Sequence, residues 1–183
     1  MRVIGIDPGL ATTGFAVVER RGARLTAVAF GAARTSSDRS EAERLLELRA
    51  QLGAVVARHE PTVAAVERLF VNANVRTATA VGRASGIALL AAAEAGLEVA
   101  QYTPTEVKAS VVGVGAAAKS QVQAMVAALL DLDSIPQPAD AADACAVAIC
   151  HLHRSGLRRA VTRASGAAPG PTLAARVAAR GRP

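Results

Sequence analysis

The sequence predicts an α/β domain with a mixed five-stranded sheet flanked by helices. Two observations carry this prediction. The chain up to about residue 33 contains three apolar or alternating segments separated by turn residues, a pattern typical of consecutive antiparallel strands. Beyond it, helical patterns alternate with two short apolar runs, as in parallel strands that are joined by helices. Antiparallel and parallel strands in one domain indicate a mixed sheet.

The first three strands are predicted over 3–7, 14–18 and 24–33. The first run is apolar and ends at Asp7, because Asp7-Pro8-Gly9 is a turn sequence. The second and third segments continue as extended patterns that we expect to form a hairpin-connected sheet.

A helix is predicted to follow Ser40, because Ser40 and Glu43 have the spacing of a capping box and leucines then recur at helical intervals. Pro61 ends this helix. The apolar run 63–66 is too short for a helix and is predicted to be a buried strand parallel to the first. A second helix is predicted over about 74–95.

The second half of the chain continues with a strand over 97–101. Thr103, Pro104 and Glu106 predict the start of a short helix. Two further helices are predicted over about 118–130 and 139–154. In the helix over 74–95, Gly82 and Gly86 are four residues apart and leave one side of the helix without side chains. This suits either ordinary helix packing or a contact between two copies of the chain.

The charge is unevenly distributed. Residues 154–183 contain seven arginines and no acidic residue, so the net charge of +6 divides into +7 for this segment and −1 for residues 1–153. We therefore predict one globular domain over 1–155 and a basic, disordered tail over 156–183. The high overall basicity belongs to the tail and does not by itself prove binding to nucleic acid.

Cysteine content and hydropathy predict a cytoplasmic protein. Cys145 and Cys150 lie in one apolar helical pattern, which gives no disulfide framework, and no signal sequence precedes the first strand. Apolar runs are interrupted well short of the roughly 18 residues that a membrane span needs, so no membrane contact is expected. His151 and His153 lie near these cysteines, but helical spacing directs the four side chains to different faces, which disfavours a zinc site.

Four carboxylates carry the functional prediction. Asp7 and Glu67 end two strands that are predicted to be parallel neighbours, so both lie where open α/β sheets gather ligands. Asp140 and Asp143 are three residues apart in a helical segment and share one face. Oxygen ligands favour Mg²⁺ or Mn²⁺, and two such ions roughly 3.5–4 Å apart can clamp the reacting oxygens of a phosphodiester.

Each carboxylate also has a structural explanation. Asp7 fits a turn, Asp140 favours a helix N-terminus, and Glu67 could pair with Arg68. Three separate acidic segment ends nevertheless make a common site the better interpretation.

In motif order and spacing, residues 2–153 resemble the RuvC family of bacterial Holliday junction endonucleases, in the ribonuclease H-like superfamily. The resemblance rests on four groups of residues: Gly5-Ile6-Asp7-Pro8-Gly9 with Gly14; Val66-Glu67 with Phe70 and Asn74; Val111-Val112-Gly113-Val114-Gly115 with Lys119, Gln121 and Val122; and Ala139-Asp140-Ala141-Ala142-Asp143-Ala144.

The resemblance implies a ribonuclease H-like fold and a homodimer that nicks two opposed strands of a four-way DNA junction, leaving 5′-phosphate and 3′-hydroxyl ends. It also implies contact with the branch-migration proteins RuvA and RuvB. Asp7, Glu67, Asp140 and Asp143 become the catalytic carboxylates that hold two Mg²⁺ ions, with Mn²⁺ as a substitute. Some relatives have histidine where this chain has Asp140, so this chain has no evident side-chain base.

Candidate DNA contacts are Phe70, Asn74, Arg76, Lys108 and Lys119. Phe70 matches the family's stacking phenylalanine, although it could instead belong to the core. Lys108 and Lys119 are the only lysines of the chain, lie on either side of the loop Gly113-Val114-Gly115 and match basic family positions. Arg76 and Arg83 are weaker candidates, and Phe15 and Phe30 are predicted to be buried in strands.

Two other function classes remain open from the residues alone. The segment from Gly5 to Gly14 resembles the phosphate loop of actin-like nucleotide-binding proteins, but such proteins pair two domains and this chain has the length of one. A non-catalytic junction-binding module would have little use for four acids that repel phosphate.

Overall fold

The computed structural model describes residues 1–68 and 75–165, except for the side chains of Arg76 and of residues 157–165. A single mixed sheet lies at its centre, with the strand order β3-β2-β1-β4-β5. The strands are β1 (Arg2–Asp7), β2 (Thr12–Arg21), β3 (Arg24–Arg34), β4 (Val63–Glu67) and β5 (Glu98–Tyr102). β1 pairs antiparallel with β2 and parallel with β4, so the predicted mixed five-stranded sheet is confirmed.

Helices cover both faces of the sheet. They are α1 (Glu41–His59), α2 (Val75–Glu94), α3 (Pro104–Val112), α4 (Lys119–Leu129) and α5 (Ala139–Ser165). Helix α5 crosses β1 and β2 on one face and forms the larger core with α3 and α4. The other face of the sheet is covered by α1 and α2, which contribute Leu48, Leu52 and Ala88 to a second core.

Local sequence signals set the ends of two helices as predicted. The Ser40 side chain accepts a hydrogen bond from the Glu43 backbone N–H, and the Glu43 carboxylate accepts one from the Ser40 backbone N–H. Thr103 and Glu106 form the same reciprocal box at α3. Each box provides partners for backbone groups that the first turn of a helix leaves unpaired.

Two predictions about local structure were wrong. Phe30 was expected to be buried, but 38% of it is exposed, because β3 is the edge strand of the sheet. The last helix was expected to end near Arg154, but α5 continues to Ser165. No proline occurs between these positions, and a basic run can stay helical when alanine and leucine accompany it.

The predicted division into a domain over 1–155 and a tail over 156–183 is crossed by α5, and residues 166–183 lie outside the described residues. The division therefore stays a prediction. Across residues 1–68 and 75–165, no helix has the length and apolar character needed to cross a membrane.

Candidate active site

Asp7 and Glu67 lie side by side at one edge of the sheet. β1 and β4 are parallel, and their register pairs Ile6 with Val66, so the next residue of each strand is a carboxylate. Both side chains are partly buried on the face covered by α5. Asp7 also lies opposite Gly14 in the antiparallel pair of β1 with β2. The adjacency predicted from the strand pattern is therefore present.

Glycines on β1 and β2 let α5 approach the sheet closely. A Cβ atom on Gly14 would overlap the backbone carbonyl of Asp140, and one on Gly5 would overlap that of Ala144. Side-chain-free positions are needed wherever two backbones meet at this separation. The first turns of α5 consequently lie directly against the strand that ends in Asp7, which brings Asp140 and Asp143 to the same edge.

A cavity of about 250 Å³ lies at this edge. Asp7, Glu67 and Asp143 form its acidic side, and Lys108 and Lys119 also contribute to its wall. The rest of the lining is apolar and comes from α3, α4 and α5: Pro104, Val107, Val122 and Ala146. Asp140 is not among the lining residues, but its charge acts on Asp7. The structure thus places all four predicted carboxylates in one electrostatic neighbourhood.

Burial and like charges strongly perturb two of the carboxyl groups. Desolvation is the largest cause that raises the pKa of Asp7 to about 7, followed by the charges of Glu67, Asp143 and Asp140. The pKa of Glu67 also rises to about 7, mainly through desolvation and then through Asp143. Ionised acids held this close to one another, and away from water, favour any cation that can enter the cavity.

These pKa values predict how the stability of the metal-free protein depends on pH. The pKa of the Asp7 carboxyl group is about 3.8 in the unfolded chain, its ordinary value, but about 7 in the folded protein. The folded state therefore binds more protons between these values, and its stability falls as pH rises from about 4 to about 7. In EDTA, we expect the melting temperature to be lower at pH 8 than at pH 5.5.

Asp7→Asn isolates the contribution of this carboxyl group. At pH 8 in EDTA, the variant should unfold at a higher temperature than the wild type. Its free energy of unfolding should be higher by on the order of 2–4 kcal/mol. Differential scanning calorimetry at both pH values measures the effect. An equal decrease in melting temperature with pH in the wild type and the variant would contradict the assigned pKa shift.

Lys119 forms the closest contact to the acids. Its Nζ atom donates a hydrogen bond to Oδ2 of Asp143 at 2.6 Å, and this ion pair joins the first residue of α4 to α5. The hydrogen bond to Asp143 is the largest cause that raises the pKa of Lys119. Lys108 lies on α3, and its charge opposes the rise in the pKa of Glu67. The sequence led to the prediction that both lysines contact DNA, but it did not predict the ion pair between Lys119 and Asp143.

The donor set fits divalent cations that prefer oxygen ligands. In the described residues, no group of three or more His, Cys, Asp or Glu side chains is arranged to hold a metal ion as it stands. Mg²⁺ does not need such a cage, because it usually keeps several waters and uses one or two carboxylates together with substrate phosphates. Asp7 and Glu67 are partly buried, and the pKa values of both are raised to about 7 although the charge of Lys119 opposes the rise, which is the observation that fits ions of this kind.

Other predicted DNA contacts are only partly placed by the structure. Phe70 and Asn74 lie outside the described residues, and Arg76 lies in the first turn of α2 without a described side chain. Arg83 forms an ion pair with Glu41 on α1, so it links two helices on the opposite face of the sheet.

The histidines and cysteines of α5 have structural surroundings. Cys145 and Cys150 are buried thiols whose pKa values are raised by desolvation, to about 12 and about 11. Nδ1 of His151 lies 2.9 Å from the Tyr102 hydroxyl, and Nδ1 of His153 lies 3.0 Å from the Ser110 carbonyl oxygen. These contacts tie α5 to β5 and α3.

Comparison with known proteins identifies the family. The family model described as crossover junction endodeoxyribonuclease RuvC matches residues 3–151. The chain belongs to the RuvC family. RuvC of Heliobacterium modesticaldum is 53% identical over 153 residues, which cover 84% of this chain and 94% of that protein. Membership of the RuvC family implies use of a divalent metal ion.

Solved RuvC structures agree with this placement. The structure of Thermus thermophilus RuvC matches with a TM-score of 0.80 and 37% identity, covering 86% of this chain and 97% of that one. T. thermophilus RuvC in complex with Holliday junction substrate matches with a TM-score of 0.82 and 36% identity, covering 86% and 96%. The predicted ribonuclease H-like fold is therefore confirmed.

Proposed function

We propose that this chain resolves Holliday junctions by paired, symmetric nicks through two-metal-ion hydrolysis of phosphodiester bonds, which leaves 5′-phosphate and 3′-hydroxyl ends. The observation that carries the proposal is the cavity in which three acids and two lysines meet, with the charge of Asp140 beside it. Both the family and the similarity to a RuvC bound to junction DNA support it.

In this proposal, Asp7, Glu67, Asp140 and Asp143 hold two Mg²⁺ ions, and Mn²⁺ can substitute. When bound by these residues, the ions would supply activation of an attacking water and stabilisation of charge on the leaving 3′ oxygen. The four side chains supply only oxygen ligands, which suits either ion. The chain supplies no histidine at Asp140, so its own contribution at this position is a ligand and not a base.

The lysines and the apolar lining have separate roles in the proposal. Lys108 and Lys119 carry the positive charge near the acids, and we assign them to the phosphates that flank the scissile bond. The apolar part, formed by Pro104, Val107 and Val122, can hold a sugar and limit access of water. The roles of Phe70, Asn74 and Arg76 as further DNA contacts stay predictions, as does contact with RuvA and RuvB.

Incubation with a mobile four-way junction in Mg²⁺ tests the function. We expect nicks at symmetric positions in two opposed strands, with ends that ligase can seal, and no cleavage in EDTA. Binding without cleavage in both Mg²⁺ and Mn²⁺ would instead indicate a junction-binding module, and tight ATP binding would indicate a nucleotide-binding protein.

Paired nicks require two active sites, and we propose that α2 supplies the dimer contact. Gly86 is exposed, and no described atom lies within 4 Å of the place where its Cβ would be. One turn later, Leu90 is 47% exposed. Within the described part of the chain, nothing packs against the glycine side of α2 at Gly86, which favours contact with a second copy.

Leu90→Glu is expected to shift the dimer toward monomer in sedimentation velocity, because it places a charge in the apolar contact. The variant should then lose coordinated double nicking more than junction binding. Val28→Glu, on the edge strand β3, is the matched control and should remain dimeric. An unchanged dimer for Leu90→Glu would rule out this face as the interface.

A further inference from the structure

Lys119 lies at an unfavourable place for a lysine. It is the first residue of α4, where the partial positive charge of the helix N-terminus disfavours cations. The N-cap residue is Ala118, which has no polar side chain to accept a hydrogen bond from the first turn. The Gln121 side chain does accept a hydrogen bond from the Ala118 backbone N–H. A local conflict of this kind needs a compensating interaction elsewhere.

The compensating interaction comes from the acids. Nζ of Lys119 contacts Oδ2 of Asp143 at 2.6 Å, and the charges of Asp7 and Asp140 also favour its ionised form. In return, Lys119 opposes the rise in the pKa of Asp7 and of Glu67. A single ammonium group therefore acts on all four carboxylates.

The two partners differ in freedom to move. The Lys119 side chain is 61% exposed, whereas the Asp143 side chain is 22% exposed. Asp143 is a residue of α5, the helix that packs on the sheet. Lysine has a flexible four-carbon stem and three donors, so it can leave one acceptor for another without a backbone movement. Asp143 stays in place while Lys119 can turn toward solvent or DNA.

We propose that Lys119 is a displaceable resident cation: it pairs with Asp143 until a divalent ion takes that carboxylate, and the freed ammonium then contacts a DNA phosphate. This inference rests on the proposed function, because it requires divalent ions to bind at the four acids. A positive charge 2.6 Å from a ligand oxygen competes for that oxygen and repels the incoming ion. Metal-free protein is thereby protected from the mutual repulsion of its acids.

Binding of Mn²⁺ to the full chain without DNA tests the competition. By isothermal titration calorimetry, Lys119→Gln should bind Mn²⁺ about 10-fold more tightly than the wild type, the factor expected for removing one charge-assisted hydrogen bond. Lys119→Arg keeps the charge and should stay near the wild type. Lys108→Gln removes a charge from the same cavity without an ion pair to a described residue, and should change the affinity by a clearly smaller factor.

Thermal unfolding gives a second readout that is independent of activity. In EDTA at pH 8, Lys119→Gln should melt at a lower temperature than the wild type, because the acids lose their counter-charge. In saturating Mn²⁺, this difference should disappear. A difference of equal size in both conditions would indicate that the ion pair is merely structural and would overturn the proposal.

Junction binding tests the release step. Removal of one phosphate contact lowers the slope of log affinity against log salt by about 1. In EDTA, where Lys119 is paired with Asp143, the slope per subunit should be the same for Lys119→Gln and the wild type. In Ca²⁺, the slope for Lys119→Gln should be smaller than that of the wild type. Equal slopes in both conditions would overturn the release step.

The outcomes distinguish failure of this inference from failure of the proposed function. Suppose that the wild type binds Mn²⁺, that Asp7→Asn abolishes this binding, and that Lys119→Gln binds Mn²⁺ as tightly as the wild type or more weakly. This result would overturn the role of Lys119 alone. Wild-type protein that binds no Mn²⁺ and cuts no junction would overturn both.

Discussion

Asp7→Asn is expected to reduce junction cleavage by at least about 10³-fold while junction binding is preserved, because the substitution removes one metal ligand and leaves the fold intact. Asp7 interacts with the whole acid cluster, since the charges of Glu67, Asp143 and Asp140 all raise its pKa. Single-turnover cleavage of a labelled junction, beside a binding titration in Ca²⁺, measures the two properties separately.

Asp133→Asn is the matched control for this prediction. The substitution is chemically identical, but Asp133 is exposed in the loop between α4 and α5 and should leave cleavage unchanged. Wild-type cleavage rates in Asp7→Asn would show that the carboxylates are not the metal site. Loss of junction binding together with cleavage would instead indicate that Asp7 supports the DNA surface.

Gly14→Ala is expected to reduce cleavage by about 10²-fold or more, through a residue that touches neither metal nor DNA in this account. Its Cβ would overlap the Asp140 backbone, so α5 or β2 must shift. A shift of about 1 Å in a catalytic group is enough for a loss of this size. Forcing extra atoms into a packed contact also destabilises a fold by about 1–3 kcal/mol.

Circular dichroism and thermal unfolding separate misplacement from unfolding in Gly14→Ala. The variant should unfold cooperatively at a reduced melting temperature while its cleavage rate at lower temperature stays impaired. Gly53→Ala is the control, because Gly53 lies in α1 with no described atom within 4 Å of its missing Cβ. It should be neutral or stabilising by up to about 1 kcal/mol. Unimpaired cleavage by Gly14→Ala would contradict the positioning argument.

Sequence reasoning succeeded where local signals decide the structure. The capping residues Ser40 and Thr103 fixed the starts of α1 and α3, since a capping box involves neighbours three residues apart. The short apolar run of β4 could only be a buried strand. By contrast, burial of Phe30 depends on whether β3 lies at the centre or the edge of the sheet, which strand alternation does not reveal.

The acidic part of the site was predictable because it follows from topology. Parallel strands end at the same edge, so Asp7 and Glu67 had to meet once β1 and β4 were neighbours. The remaining parts depend on the packing of α3 and α4, which no spacing in the sequence encodes. The apolar cavity wall and the pair Lys119 with Asp143 therefore appeared only in the structure.

Anomalous diffraction from crystals grown with Mn²⁺ tests the central claim most directly, namely that Asp7, Glu67, Asp140 and Asp143 form one metal site. We expect two anomalous peaks in the cavity, roughly 3.5–4 Å apart, each within about 2.0–2.3 Å of carboxylate oxygens from this set. Absence of any peak at these four residues, at a Mn²⁺ concentration that supports junction cleavage, would contradict the account.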